Sequence, residues 1–591
     1  VRTRTFVLAL ATVGLLVSGA VVGVTPAGAA PVHPGGGSGA SAAVNFRDAV
    51  RQAVPSVRPA PVPADRGGSS LPRKPTVGHR PGVVAGSRAP APGLAPAVTQ
   101  NFDGLTQTVC GGCQPPDPNA ATSGTEIVQV VNAFIQVTDN NGVVQCGGGI
   151  TLTRLLRSTD SLTDPRVQWD NLNRRFSLSV TIEPASSSAT PAMWVAASDT
   201  ADACGTWRVY RLTFSGSPFP AGTFLDFPML GQDRNALLVS TRNFTHPGTN
   251  FTVYALPKAT IYAGASVSFN TFTVPSLTAP ATNAGIPMVS SPVSFFLAAV
   301  PGTGYRLFRL TNSGGSGAVL TQTTISAPFT APTRQANQPG TSSTLDPSDG
   351  NILWSPYFDG TSIWFAHDFD LAGFPTIRYG AVDTTTNTVA FASAFHHSTS
   401  DDFDAAIGVG INPGGGVSVF LTWTFTDAPA GVAASATVDM VPPGGGIPNL
   451  VGTGTVLVNG SNSTDVVNPL HRFGDYSSVS LDPTTLAGTC AVVADQYFGT
   501  DAHWRTRIAR VGTCAPLAVV PNLGGDTLNE ASSALAARGL RLGLVSHVID
   551  RTCNNIGLVI TQSPAAGTQV PQGSSVNVGI GVEPPPPFVC P

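Results

Sequence analysis

Between Asn101 and Cys514 one outline recurs: an aspartate, a short apolar strand, a polar turn and a second strand. The run Asp164 to Trp169 turns at Asp170 to Asn173 into Arg175 to Val180. Asp226 to Leu230 turns at Gly231 to Asn235 into Ala236 to Ser240, and Asp404 to Val409 turns at Asn412 to Gly415 into Val417 to Phe420. Gly474-Asp475 opens a fourth run, to Val479, which turns at Asp482 to Thr485 into a strand at Cys490. Vaguer blocks start near Ser290 and Thr344, and Asp117 begins the series, giving spacings of about 47 to 71 residues. Common propeller blades repeat at roughly 40 to 50 residues. Small sheets arranged in a ring bury their faces against one another, and closing the ring protects their edges. The expected fold is therefore mainly β: a β-propeller of about seven blades, or six or eight, over 101–514. A pair of β-sandwiches is the competing fold, but it does not require the repeated outline.

Composition narrows the function classes. The 591 residues include 64 Gly and 51 Pro, and only 11% are charged, against roughly 25% in an ordinary soluble protein. Lys+Arg 31 against Asp+Glu 34 leaves a net charge of −3. That excludes nucleic-acid binding by bulk positive charge, which needs clustered cations to displace counterions. A long helical bundle and collagen are excluded by composition and by the lack of a glycine period.

Arg2 and Arg4 precede the uncharged apolar run Phe6 to Val24, and Ala27-Gly28-Ala29 follows. A basic start, an apolar stretch and a small-x-small site predict a signal peptide over 1–29, cleaved after Ala29. The rival, a membrane anchor, lacks a basic stop-transfer cluster. The mature chain is then expected to be secreted or cell-wall associated, extracellular, with no membrane span. Residues 30–100 are Pro-, Gly- and Ala-rich and predict a disordered linker, with one short helix over Phe46 to Val54 capped by Asn45. The eight cysteines suit an oxidising compartment. Folding Cys490–Tyr497 against Trp504–Val511 as a hairpin brings Cys490 beside Cys514, which predicts a disulfide. Cys553 and Cys590 are expected to pair as well. Cys110, Cys113, Cys146 and Cys204 leave three connectivities open, with a structural disulfide favoured over a redox or zinc role for Cys110-Gly111-Gly112-Cys113.

The tail, 515–583, has a different texture and ends in a Pro-rich stretch, 584–591. Thr527-Leu528-Asn529-Glu530 is a capping box, Leu528, Ala531 and Leu535 fall at helical spacing, and Gly539 stops the helix. Strands are expected at Leu540–Ser546, Leu558–Gln562 and Ser575–Ile580. Such a small unit has a marginal core, which the Cys553–Cys590 bridge supports.

Two resemblances follow. Val520-Pro521-Asn522-Leu523, Thr527 to Ala531, Leu535 to Leu540, Gly557 to Gly567 and Val570 to Val576 resemble a PASTA domain, the module of penicillin-binding proteins and cell-wall-sensing kinases. The resemblance implies docking to peptidoglycan, or a spacer role. This chain departs from the usual pattern in carrying one copy and a cysteine pair, and a single copy lacks the avidity of tandem modules. The region 101–512 is similar to a family of secreted bacterial propeller-like proteins of unassigned activity. Asn101 to Gly104, Pro115 to Asn119, Asp164 to Val167, Gly205 to Tyr210, Phe473 to Ser478 and Trp504 to Ile508 carry that resemblance.

For chemistry, Asp202 with Gly205-Thr206-Trp207 resembles the Asp-box turn of sialidases, although it occurs once. A sialidase-like site also needs three convergent arginines, for which Arg166, Arg208, Arg242, Arg472 and Arg505 are candidates. The plainer reading is a turn with a buried Trp207. If Asp164, Asp226, Asp404 and Asp475 open equivalent inner strands, they converge at one mouth of the channel, where Ca²⁺ would suit their oxygens; alternatively each caps its own loop. Asp475, Tyr476 and Trp504 are further expected to line a mouth pocket for a sugar. His396-His397 reads as loop. No hydrolase elbow, zinc-protease helix or phosphate loop occurs. No catalytic residue, resident metal or cofactor is assigned. The expectation is a monomeric, non-enzymatic envelope protein with a propeller binding head and a tail docking to peptidoglycan or another envelope glycan. The alternative is a sialidase-like glycan hydrolase.

Overall fold

The computed structural model describes residues 35–52, 97–245, 248–275, 282–283, 293–395, 399–411, 417–441, 454–463, 473–485, 488–501, 503–587 and 590. The signal-peptide region, most of the expected linker, His396-His397 and Arg472 lie outside the described residues.

The head is a β-propeller. Among the described residues it contains five antiparallel sheets of four strands and one of ten. The ten-stranded sheet joins two four-strand units, Leu162–Thr213 and Phe224–Pro275, through the N-terminal strand Gly35–Gly39. The ring closes where Val98–Thr106 becomes the outermost strand beside Trp504–Gly512, with Gln100 opposite Arg510 and Phe102 opposite Ile508. Cys490–Phe498 and Ser478–Leu481 complete that sheet inward. The first and last strands of the head's ring thus share one set of backbone hydrogen bonds, which closes it.

Packing follows the expected logic, because the apolar clusters span neighbouring sheets. Val128 and Val130 meet Phe176, Leu178 and Val180; Leu238 and Val253 meet Phe296 and Phe308; Tyr379 meets Leu421 and Trp423; and Val438 meets Val493 and Val511. Alternate side chains of each strand point to opposite faces, so each sheet supplies both of its neighbours.

The recurring aspartates mark a shared bulge. The inner strands slip register between Thr163 and Arg166, between Asp226 and Met229, and between Phe403 and Ala406. Asp164, Asp404 and Asp117 have φ near 52°, 57° and 48°, and Phe227 follows Asp226 at 49°. Aspartate tolerates this left-handed geometry better than most residues. The bulge re-aims the start of each inner strand toward the axis.

Three expectations are corrected. The 30–100 region is not linker throughout: Gly35–Gly39 and Ser41–Asn45 pair with the strands Val267–Pro275 and Thr206–Thr213. The helix is Phe46–Arg51, capped by the Asn45 side chain as expected but shorter, and Phe46 is fully buried in the first cluster. Phe46 anchors what composition alone reads as unstructured. The block near Thr344 opens no sheet; Thr344–Leu345 forms a two-stranded ribbon with Ala336–Asn337, and the next four-stranded sheet begins at Tyr357. The connection 327–356 instead carries buried Asp346, Asn351, Ile352 and Leu353. Leu353 packs with Phe227, Met229 and Tyr476, plugging the axis.

All eight cysteines are paired, as Cys110–Cys113, Cys146–Cys204, Cys490–Cys514 and Cys553–Cys590. In the C-terminal unit, Thr527 and Glu530 form the capping box for the helix Leu528–Ala536. Ser575–Val582 is the central strand, parallel to Arg541–Ile549 and antiparallel to Val559–Ser563. The unit adjoins the head: the Leu517 amide donates to the Thr484 carbonyl at 3.1 Å.

Candidate functional site

Asp164, Asp226 and Asp404 sit near the start of the inner strands Leu162–Asp170, Phe224–Gln232 and Asp401–Ile411, and Asp117 and Asp475 just precede Asn119–Thr122 and Ser478–Leu481, whereas Thr282–Asn283 and Tyr357–Phe358 carry no aspartate. At the aspartate end the side chains hold one another across sheets. The Tyr476 hydroxyl donates to Asp164 Oδ2 at 2.8 Å. Asp117 accepts from the Asp475 amide at 2.9 Å and from Asn132 Nδ2 at 2.6 Å. Asn132 Oδ1 accepts the Asp164 amide, and Asp368 Oδ2 the Asp404 amide. Asp226 accepts the amide of Phe227 and Asp117 holds Asn132 of its own sheet, whereas the Asp475–Asp117, Tyr476–Asp164, Asp164–Asn132 and Asp404–Asp368 bonds join different sheets.

These groups are buried, and their protonation follows. Burial together with the neighbouring carboxylates pushes Asp404 and Asp368 well above the usual carboxylate range. Asp495, which accepts from Thr422 and Thr424, is pushed by burial up to about 8. Burial and the nearby Asp164 raise Tyr476. Among the described residues, the grouping with metal-ligand spacing is Glu126, Asp202 and Cys204; Cys204 is in a disulfide and Asp202 pairs with Arg47. The inner-strand aspartates do not gather into such a set, and their contacts fit loop capping and strand tethering better than Ca²⁺.

Of the expected sugar-binding trio, the structure separates Trp504 from the others. Trp504 lies two strands out from the axis, buried with Cys110, Cys113, Phe473 and Phe498, and its indole donates to the Cys113 carbonyl at 2.7 Å. Asp475 and Tyr476 are at the axis but buried, 7% and 0% exposed, so they present no face to solvent. The proposed arginine triad does not assemble: Arg208 pairs with Asp199, Arg505 with Asp501, and Arg242 covers the Phe244 ring. Trp207 is fully buried below its turn, as the plainer reading expects.

The opposite end of the axis holds a cavity of about 300 Å³. Arg166, Met229 and Trp354 line its inner part, while Asp482, Thr485, Leu517 and Gln569 line it where head and C-terminal unit meet. Arg166 is 2% exposed and its guanidinium carbon sits 3.4 Å from the Tyr476 ring centre. One nitrogen, Nη2, reaches the Leu353 carbonyl and the Met229 sulfur. Desolvation lowers its pKa, while Asp164 and Asp117 beyond Tyr476 favour its charge. In the sequence Arg166 is one arginine among five candidates, and nothing local marks Trp354 or the plug as an axial element.

Residues 518–581 match the family model described as PASTA domain, so the C-terminal unit is a PASTA domain, a module that points to association with the cell wall. No curated protein sequence matches the chain significantly. Among solved structures it is similar to the exo-β-1,3-galactanase of Phanerochaete chrysosporium: 11% identity, TM-score 0.28, covering 71% of this chain and 99% of that one. It is also similar to the Dos1 propeller (9%, TM-score 0.31, 71% and 95%). A third is the parainfluenza virus 5 hemagglutinin-neuraminidase ectodomain (9%, TM-score 0.31, 59% and 87%). Likeness this slight does not reach the chemistry of a site.

Proposed function

We propose that the chain is an exported, non-enzymatic envelope protein: a propeller head, read as seven blades, that captures a ligand at its axis, and a PASTA domain that docks the head to peptidoglycan or another envelope glycan. The PASTA match over 518–581 carries this reading, and four disulfides suit an oxidising, extracellular setting. Binding is favoured over hydrolysis because glycosidases need two carboxyl groups roughly 5 to 9.5 Å apart in one cleft. The acidic side chain lining the cavity is Asp482, and its oxygens accept from Thr484 and Arg510. The test is to incubate the full chain with insoluble peptidoglycan and assay pellet and supernatant. Retention of protein without release of soluble sugar supports the reading; steady release of reducing ends favours a hydrolase.

A further inference from the structure

Ligand sites favour domain interfaces and combine an apolar lining with a few open polar groups. The axial cavity, about 300 Å³, lies at such a junction: Trp169, Asn171 and Trp354 come from the head, Leu517 and Gln569 from the C-terminal unit. Its polar side chains fall into two sets. The charged ones are closed off. Arg166 is buried against Tyr476, and Asp482 is 1% exposed with its oxygens on Thr484 and Arg510. The carboxamides are open. Asn171 and Gln569 are exposed, and neither side chain has a hydrogen-bond partner among the described residues. Gln168 is half-buried and donates its amide nitrogen to the Gly231 carbonyl at 3.0 Å, which leaves Oε1 free.

A wall with open carboxamides and no open charge suits a neutral guest that both donates and accepts. One carboxamide does both, as vicinal hydroxyls or an acetamido group require. Trp169, Trp354 and Tyr357, each half-buried on the same wall, supply aromatic surface for the apolar C–H face of a sugar ring. A carboxylate placed there would lose its water and gain no open cation in return. The volume takes one ring, and the exposure of Asn171 and Gln569 leaves a longer chain a way out to solvent. We infer that the cavity seats one neutral sugar ring of an envelope glycan, held from the head by Gln168 and Asn171 and from the PASTA domain by Gln569. This rests on the wall-docking reading and adds the place and the sugar chemistry on which the two domains act together.

The test is calorimetric titration of the full chain with triacetylchitotriose, cellotriose and a galacturonate trimer. At least one neutral trisaccharide is expected to bind about tenfold or more tighter than the acidic one. Asn171→Ala and Gln569→Ala remove exposed, unbonded side chains, so each should keep the parent's melting temperature and lose several-fold in affinity for that neutral trisaccharide. Binding of no trisaccharide, equal or tighter binding of the galacturonate trimer, or an affinity that survives either substitution unchanged would each overturn the assignment. Retention on peptidoglycan without binding of a neutral trisaccharide defeats this inference alone; trisaccharide binding without retention defeats the wall-docking reading alone.

Discussion

Tyr476 and Asp164, 312 residues apart in sequence, meet at the axis through a 2.8 Å hydrogen bond. The same Tyr476 ring lies under the Arg166 guanidinium. One aromatic side chain therefore ties the inner-strand aspartates on one side to the cavity on the other.

Removing only the hydroxyl isolates this role. Tyr476→Phe leaves Asp164 short of a donor in a buried setting, for an expected loss of about 1–3 kcal/mol. Tyr476→Ala also opens a cavity beside Phe227 and Leu353, with about 3–5 kcal/mol expected. Guanidinium unfolding of both variants measures the difference; equal losses would mean that the hydroxyl contributes nothing.

How much of this was legible depends on the sequence distance over which each feature is set. The capping box at Thr527–Glu530 and the hairpin behind Cys490–Cys514 are local, and both formed as read. The aspartate-led outline was legible because it repeats, and the bulges explain why an aspartate recurs there. The docked segment 35–52 and the plug at Leu353 were not legible. Their order comes from distant partners, the strand Thr206–Thr213 and Tyr476, that composition cannot name. Trp504 stands third from the axis because Ser478–Leu481 and Cys490–Phe498 lie inside its strand, an order the sequence outline itself carries.

Stability should depend on pH through Asp495. Its folded pKa, about 8, lies above the unfolded value near 3.8. The unfolded chain therefore binds fewer protons across that window, and stability falls as pH rises. The slope approaches about 1.4 kcal/mol per pH unit. Asp495→Asn is expected to gain stability over the parent at pH 8 and little at pH 4. Denaturant titrations at both pH values check this; a pH-independent difference would contradict it.

His367 acts in the opposite sense. Burial between Tyr305 and Phe329 depresses its pKa to about 3, below the usual 6.5. It bonds the Asp368 carbonyl through Nδ1 and the Tyr305 hydroxyl through Nε2. Its contribution is present above the unfolded value and is lost as pH falls from about 6.5 toward 3. His367→Gln should flatten acid unfolding in that range, read as melting temperature against pH.

Cys146–Cys204 joins the sheet Asn119–Thr151 to the turn that carries Trp207 and closes over 58 residues. Replacing both cysteines with Ser is expected to cost about 2–5 kcal/mol. The double variant's unfolding midpoint measures it, and no shift would mean that the neighbouring packing suffices.

The PASTA domain's share in wall docking is tested most directly by the dissociation constant for purified peptidoglycan, measured for the full chain and for a chain ending at Cys514. A loss of about tenfold or more on truncation, with the head's melting temperature preserved, is the predicted result. Equal affinity of the two chains would contradict it, because the head rather than the PASTA domain would then hold the wall.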